Sequence, residues 1–202
     1  FWKYDFFVNE DVLDPRPETE LIIEKILKYY QNKNQSLKIL DMCTGTGCLA
    51  IVLSKEYKNA KVIATDISNK AIKVAKINAK KLECSNKINF VKCDLLDNLS
   101  IFDIIVSNPP YLSKIQYEKT SSAIQLFEPK IALLSSQEGY EYFYKIASIL
   151  PNIMCKKSMA FIEIGSGQSK RAINIFKANN IDCQKIVQDL QNLDRVLILN
   201  KS

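Results

Sequence analysis

The chain of 202 residues is 47% apolar and 25% charged, enough for one buried core in a single domain and incompatible with compositional disorder. It contains no histidine, which excludes Ser-His-Asp and Cys-His nucleophile pairs, His-ligated zinc and an imidazole base near neutral pH. With 28 basic against 22 acidic residues the net charge is +6, a mild pointer to an anionic partner, and no apolar run approaches the ~18 residues of a membrane span.

Short β-branched runs alternate with amphipathic helical stretches from residue 21 almost to the end, the pattern of an α/β fold with a mostly parallel sheet. Pro17, Glu18 and Glu20 suit the start of a helix over 21–30. Strand one is expected at 37–42 (LKILDM), a helix at 48–57, strand two at 61–66 (KVIATD) and a helix at 69–82. Strands three (88–93) and four (102–107) are joined by a connection too short for a full helix. Residues 112–137 show no clear period and exceed an ordinary connection, which reads as a functional flap or a disordered excursion. A helix at 139–150, a fifth strand at 159–164, a helix at 169–179 and a closing hairpin of 183–187 with 196–199 complete the chain. Six cysteines (43, 48, 84, 93, 155 and 183) form no C-x-x-C pair and are scattered through apolar stretches. They read as small core residues in a reducing compartment, and no metal site is expected.

Two constellations carry chemistry. The first, DMCTGTG (41–47), lies where strand one turns into a helix. Gly45, Gly47 and Ala50 make a G-x-G-x-x-A pattern, and Asp66 ends strand two 21 residues after Gly45. Glycines admit a ligand where a β-carbon would block it, and a carboxylate at the end of the next strand can accept both ribose hydroxyls. This is the grammar of a nucleotide site, the plainer alternative being a tight turn with an unrelated surface Asp. By itself it does not separate a nicotinamide dehydrogenase from an S-adenosylmethionine (SAM) methyltransferase.

The second, Asn108-Pro109-Pro110-Tyr111, follows strand four at the carboxyl end, where ligands bind in open α/β sheets. If strand four lies beside strand one, the two motifs share one crevice. Proline after Asn108 enforces extended backbone, and two successive prolines remove backbone donors, so the groups facing the site are mostly acceptors. The Asn108 amide oxygen and a backbone carbonyl beside Pro109 can accept both hydrogens of a planar amino group and aim its lone pair at an electrophile. The Tyr111 ring can pack on a planar amide or base. Attack on a charged sulfonium needs no strongly basic group, which fits a chain without histidine.

Over nearly its whole length the chain resembles the catalytic domain of the HemK/PrmC-type methyltransferases. The matching segments are FFVNEDVLDPRPETE (6–20), DMCTGTG, SNPPYL (107–112), FEPKIAL (127–133), IEIGSGQ (162–168) and DLQNLDRV (189–196). NPPY alone is shared with adenine and ribosomal RNA methyltransferases, whereas PRPETE together with the FEP and EIG segments is narrower. The resemblance implies a class I SAM-dependent, Rossmann-like fold with a mostly parallel seven-stranded sheet and a C-terminal antiparallel hairpin. It implies methyl transfer from SAM to the side-chain amide nitrogen of the glutamine in the Gly-Gly-Gln motif of peptide-chain release factors, with S-adenosylhomocysteine as product. A cytoplasmic setting, no membrane partner and two regions also follow. These are a linker segment at 1–20, leading from a helical domain that seats the release factor, and a catalytic domain at 21–202.

Residue by residue, the resemblance implies that Thr44, Gly45, Thr46 and Gly47, flanked by Asp41 and Cys43, hold the methionine part of SAM. Asp66 would hold the ribose, and Asp94 with Leu95 the adenine. Asn108, Pro109, Pro110 and Tyr111 would hold the acceptor glutamine, Asn108 also reaching the cofactor, with Arg16 and Thr19 lining the substrate side. Glu163 either supports the site or caps the helix that follows. Cys43 departs from the family, which usually has glycine there, and Gly45 and Gly47 are the expected points of closest approach. With no histidine to lower its pKa, Cys43 reads as a packed thiol rather than a nucleophile. Two other functions fit the motifs. A methyltransferase of an exocyclic amine in RNA or DNA shares the fold and NPPY chemistry, but needs a basic, aromatic-bearing face, and here the lysines are spread evenly. The other is a non-catalytic SAM- or nucleotide-binding module.

Overall fold

A computed structural model of the chain describes residues 1–95 and 100–202, so part of the connection between strands three and four lies outside the described residues. The strands are β1 (Lys38–Met42), β2 (Lys61–Asp66), β3 (Ile88–Lys92), β4 (Phe102–Ser107), β5 (Met154–Glu163), β6 (Ile181–Gln188) and β7 (Asp194–Lys201). The helices are α1 (Glu20–Tyr29), α2 (Cys48–Glu56), α3 (Asn69–Lys81), four short segments α4 (Lys114–Glu118), α5 (Ser122–Phe127), α6 (Lys130–Leu133) and α7 (Ser136–Gly139), then α8 (Glu141–Ile153) and α9 (Ser169–Lys177). One seven-stranded sheet runs in the order β3-β2-β1-β4-β5-β7-β6. All pairings are parallel except those of β7, which is antiparallel to both β5 and β6.

The central strands are apolar on both faces because both faces are covered. Ile39, Ile104, Val106, Phe161 and Ile198 point into a core shared with α1 and α2. Their neighbours Leu40, Ile105, Ala160, Ile162 and Leu199 point to the other side, into a core shared with α8 and α9. α2 is buried from Cys48 through Ser54, as suits a helix packed on several sides. α3 starts at Ser68, whose hydroxyl accepts from the Ala71 amide at 3.2 Å. Phe1, Trp2, Tyr4 and Phe6 pack on the first core, and the buried Asn78 side chain of α3 exchanges hydrogen bonds of 2.7 and 3.0 Å with the Phe7 backbone.

The condition set by the motifs is met. β1 pairs directly with β4, with Met42 opposite Ser107, and the Ser107 hydroxyl donates to the Met42 carbonyl at 2.8 Å. Cys43 and Asn108 therefore leave the sheet side by side.

Two expectations need correction. Residues 112–137 are not a disordered excursion but an ordered wall of short helices. Each spans four to six residues, too few for a helical period to show. A capping box between Ser113 and Gln116 starts α4, and a bridge ties Leu112 to Leu134. Further on, α8 continues through Pro151 to Ile153, and β5 begins at Met154 rather than 159. The exposed residues Cys155–Lys157 leave the ladder, and Ser158 closes the irregularity by accepting from the Cys155 amide at 2.9 Å and donating to the Phe102 carbonyl at 2.6 Å. Three exposed residues in a row hide the strand from any alternation rule. Among the described residues no helix is long and apolar enough to cross a membrane.

Phe161 lies at the centre of this arrangement, fully buried in β5 with its ring edge-on to Tyr29 at 6.1 Å. Phe161→Ala is expected to lower unfolding free energy by about 3–5 kcal/mol, read from urea midpoints at an unchanged denaturant slope.

Candidate functional site

Asp41, near the end of β1, organises the first loop. Its Oδ2 accepts from the Thr44 hydroxyl at 2.6 Å and the Ala50 amide at 3.1 Å. Burial pushes this carboxyl up to about 7, against the pull of those two bonds. The chain then passes through the left-handed region at Cys43 (φ +59°), Gly45 (φ +54°) and Gly47 (φ +81°). A residue with a β-carbon costs about 1–2 kcal/mol there, so Cys43 is strained at a position that suits glycine. Burial, with Asp66 adding to it, pushes the Cys43 thiol well up, which keeps it protonated and unreactive.

The two glycines have different duties. A β-carbon on Gly45 would meet nothing within 4 Å, and this residue borders the main cavity. On Gly47 it would come within 3.1 Å of the Ala75 Cβ and 3.2 Å of Ile51 Cδ1, so the missing side chain there lets α3 approach α2. Gly47 is not among the residues that line the cavity. Thr46 is likewise buried away from the cavity, its carbonyl accepting from Asn78 Nδ2 at 3.0 Å.

Asp66, at the end of β2, accepts the Gly45 amide on Oδ2 and the Ser68 amide on Oδ1, each at 2.9 Å. Burial raises its pKa. One N–H on each oxygen leaves further lone pairs for a ligand. The cavity it borders encloses about 850 Å³ including its open mouth. Apolar Ile67, Leu95, Ile131 and Tyr142 and the carboxylates of Asp41, Asp66 and Asp94 line it. Asp94 pairs with Lys145 at 3.2 Å.

The Asn-Pro-Pro-Tyr loop separates this cavity from a second, of about 530 Å³, and Leu13, Asn108 and Ala132 line both. Pro110 borders the first cavity, whereas Pro109, Tyr111 and Arg16 border the second. Asn108 Nδ2 donates to Thr19 Oγ1 at 3.0 Å, Thr19 Oγ1 donates to Glu163 Oε2 at 2.6 Å, and the Tyr111 hydroxyl donates to Glu163 Oε1 at 3.1 Å. Glu163 thus supports the loop. It does not cap α9: its hydrogen-bond partners are Thr19 and Tyr111, neither of them in that helix. Burial pushes the Glu163 carboxyl up to about 7, with Glu18 adding to the effect and the bonds from Thr19 and Tyr111, with Arg195, opposing it.

Gln168 Nε2 donates to the Tyr111 carbonyl at 3.0 Å, and a β-carbon on Gly139 would lie 2.4 Å from that same oxygen. One on Gly165 would lie 3.1 Å from the Tyr111 ring, so the tyrosine is clamped from three sides. Arg16 does not stand free: its Nη2 meets both oxygens of Glu128, at 2.5 and 2.7 Å. Sequence reasoning assigned no role to Asn78, Glu128 or Gln168. Asn78 alone carries a local signal, an amide on the buried face of α3.

The family model described as Methyltransferase small domain matches residues 11–137. The release factor glutamine methyltransferase of Clostridium acetobutylicum is 32% identical over 202 residues, covering 98% of this chain and 70% of that protein. The protein of the same name from Chlorobaculum tepidum is 35% identical over 207 residues, with 98% and 70% covered. A solved release factor-specific protein-(glutamine-N5) methyltransferase from Alicyclobacillus acidocaldarius shares the fold, with a TM-score of 0.57 at 21% identity over 98% of this chain and 99% of that one. With a glycine turn and an Asn-Pro-Pro-Tyr loop meeting at one sheet edge, and relatives that match it from end to end, the chain belongs to the release factor glutamine methyltransferase family.

Proposed function

We propose that the chain transfers a methyl group from SAM to the side-chain amide nitrogen of the glutamine in the Gly-Gly-Gln loop of a release factor, the C–S electrons returning to sulfur to leave S-adenosylhomocysteine and one amide N–H proton passing to water. The observation that carries this reading is the meeting of the two cavities at Asn108. The first cavity fits an adenosyl sulfonium. Asp66 keeps lone pairs for ribose hydroxyls, Ile67 and Leu95 offer apolar surface for the adenine, Gly45 leaves room, and the acidic lining favours a cation. Bound there, SAM supplies an electrophilic methyl group on positively charged sulfur.

The protein's part is positional. Asn108 Nδ2 is committed to Thr19, and its Oδ1 has no protein donor among the described residues and is not sealed off, so it accepts an N–H from the incoming amide. Pro109 and Pro110 bring carbonyls without competing backbone donors. The clamped Tyr111 ring walls the second cavity and restricts rotation of the acceptor. An amide nitrogen is a poor nucleophile because its lone pair is delocalised, so holding it in the rare geometry that aims the lone pair at the first cavity is where the rate enhancement arises. The only cation lining the second cavity among the described residues, Arg16, is neutralised by Glu128, which favours a polypeptide over a nucleic-acid phosphate backbone.

Incubation with labelled SAM tests the reading. Label is expected on the glutamine of purified release factor and not on total RNA, and the reverse result overturns the acceptor assignment. Two variants separate the two cavities. Asp66→Ala is expected to weaken SAM binding by about tenfold or more in a calorimetric titration, since a charged acceptor is lost. Asn108→Ala is expected to leave SAM binding largely intact while turnover drops ~10²-fold, the scale of removing one oriented polar group.

A further inference from the structure

We infer that Glu163 and Thr19 are positioning residues that set which end of the Asn108 amide faces the acceptor, through a one-way chain of hydrogen bonds. The inference rests on the reading that Asn108 receives an amide. A hydroxyl has one proton to give. In Thr19 that proton goes to the Glu163 carboxylate over 2.6 Å, a length typical of a charge-assisted O–H···O⁻ bond. Thr19 Oγ1 is left with acceptor capacity only, so it draws the Asn108 NH₂ at 3.0 Å and leaves Oδ1 to the cavity.

With Glu163 ionised, the proton count demands this orientation. The two ends of an asparagine amide are nearly the same size, and without the chain either could face outward. The reversed amide would present N–H groups to the N–H groups of the incoming glutamine, donor against donor. Water has little access to the link, because Thr19 is 2% and Glu163 1% exposed. The other carboxylate oxygen accepts from the Tyr111 hydroxyl at 3.1 Å, and Glu163 lines neither cavity, so it is not placed to act as a base. The charged and titratable groups around it are Glu18 on the turn before α1, Cys48 on α2, Arg195 on β7 and Tyr111, and none of them donates a hydrogen bond to Thr19. Thr19 and Glu163 are 144 residues apart, yet each belongs to a segment of narrow family resemblance, PRPETE and IEIGSGQ, and the chain of bonds gives those segments a shared duty.

The test uses the full chain, SAM and purified release factor above pH 7, where the carboxylate is ionised. Glu163→Gln keeps the shape but lets the new amide donate to Thr19, whose hydroxyl can then donate to Asn108 Oδ1 and reverse it. Glu163→Gln and Thr19→Val are each expected to lower kcat by about thirtyfold or more, whereas Thr19→Ser stays within about threefold, and Glu163→Gln, at a residue that lines neither cavity, keeps SAM affinity within about twofold of the parent. The double variant is expected to fall no further than either single one, because both cut the same chain. A Glu163→Gln enzyme with parental kcat, or effects that multiply in the double variant, would overturn the inference. If the parent itself fails to methylate the release factor, the proposed function fails while this inference is still decided by NMR. The Asn108 side-chain NH₂ resonances, identified by their loss in Asn108→Ala, are expected to shift on Glu163→Gln and Thr19→Val and hold on Thr19→Ser. Unchanged resonances in all three would overturn it.

Discussion

A carboxylate sealed inside a protein is costly unless hydrogen bonds replace the water it has lost, and Glu163 meets that demand with two hydroxyl donors, Thr19 and Tyr111. The acceptor wall hangs from this requirement. Thr19 comes from the segment ahead of α1, Tyr111 from the loop after β4 and Glu163 from the end of β5, so satisfying one buried charge draws three distant parts of the chain together. Asn108, one bond further out, inherits its orientation from a group that reaches neither cavity wall.

The two sides of the site obtain rigidity by different means. On the donor side the backbone is bent through three left-handed residues, and Asp41, Asp66 and Asn78 hold the bend by bonding Thr44, Ala50, Gly45 and the Thr46 carbonyl. On the acceptor side the fixity comes from Tyr111, caught between Gly139, Gly165 and Gln168. The strain at Cys43 is the visible cost of the donor turn in this chain. Such rigidity matters more here than an acid or base, because the proposed chemistry turns on aiming a weak nucleophile.

Much of the fold is legible from periodicity. β2 and β4 have their expected bounds because each is a short apolar run between turn residues, and Asp66 and Asn108 are legible for the same reason, each ending such a run. What local reading misses is structure that depends on partners elsewhere. α4 to α7 are too short to display a period. The start of β5 is masked by a polar excursion that Ser158 closes against β4. Gly47 looks like its neighbour Gly45 until α3 is seen to press on it. Glu163 is ambiguous in sequence because its partner Thr19 is 144 residues away, and nothing near Arg16 signals its ion pair with Glu128, 112 residues on.

The pairing of β1 with β4 bears on how the protein comes into being. The Met42 to Ser107 contact spans 65 residues, so closing that ladder carries the entropy of a long loop and belongs among the slower steps of folding. Both half-sites are attached to that one seam. A chain that has collapsed but not yet zipped it would have neither half of the site facing the other, and competence for methyl transfer would arrive with that seam rather than grow in gradually.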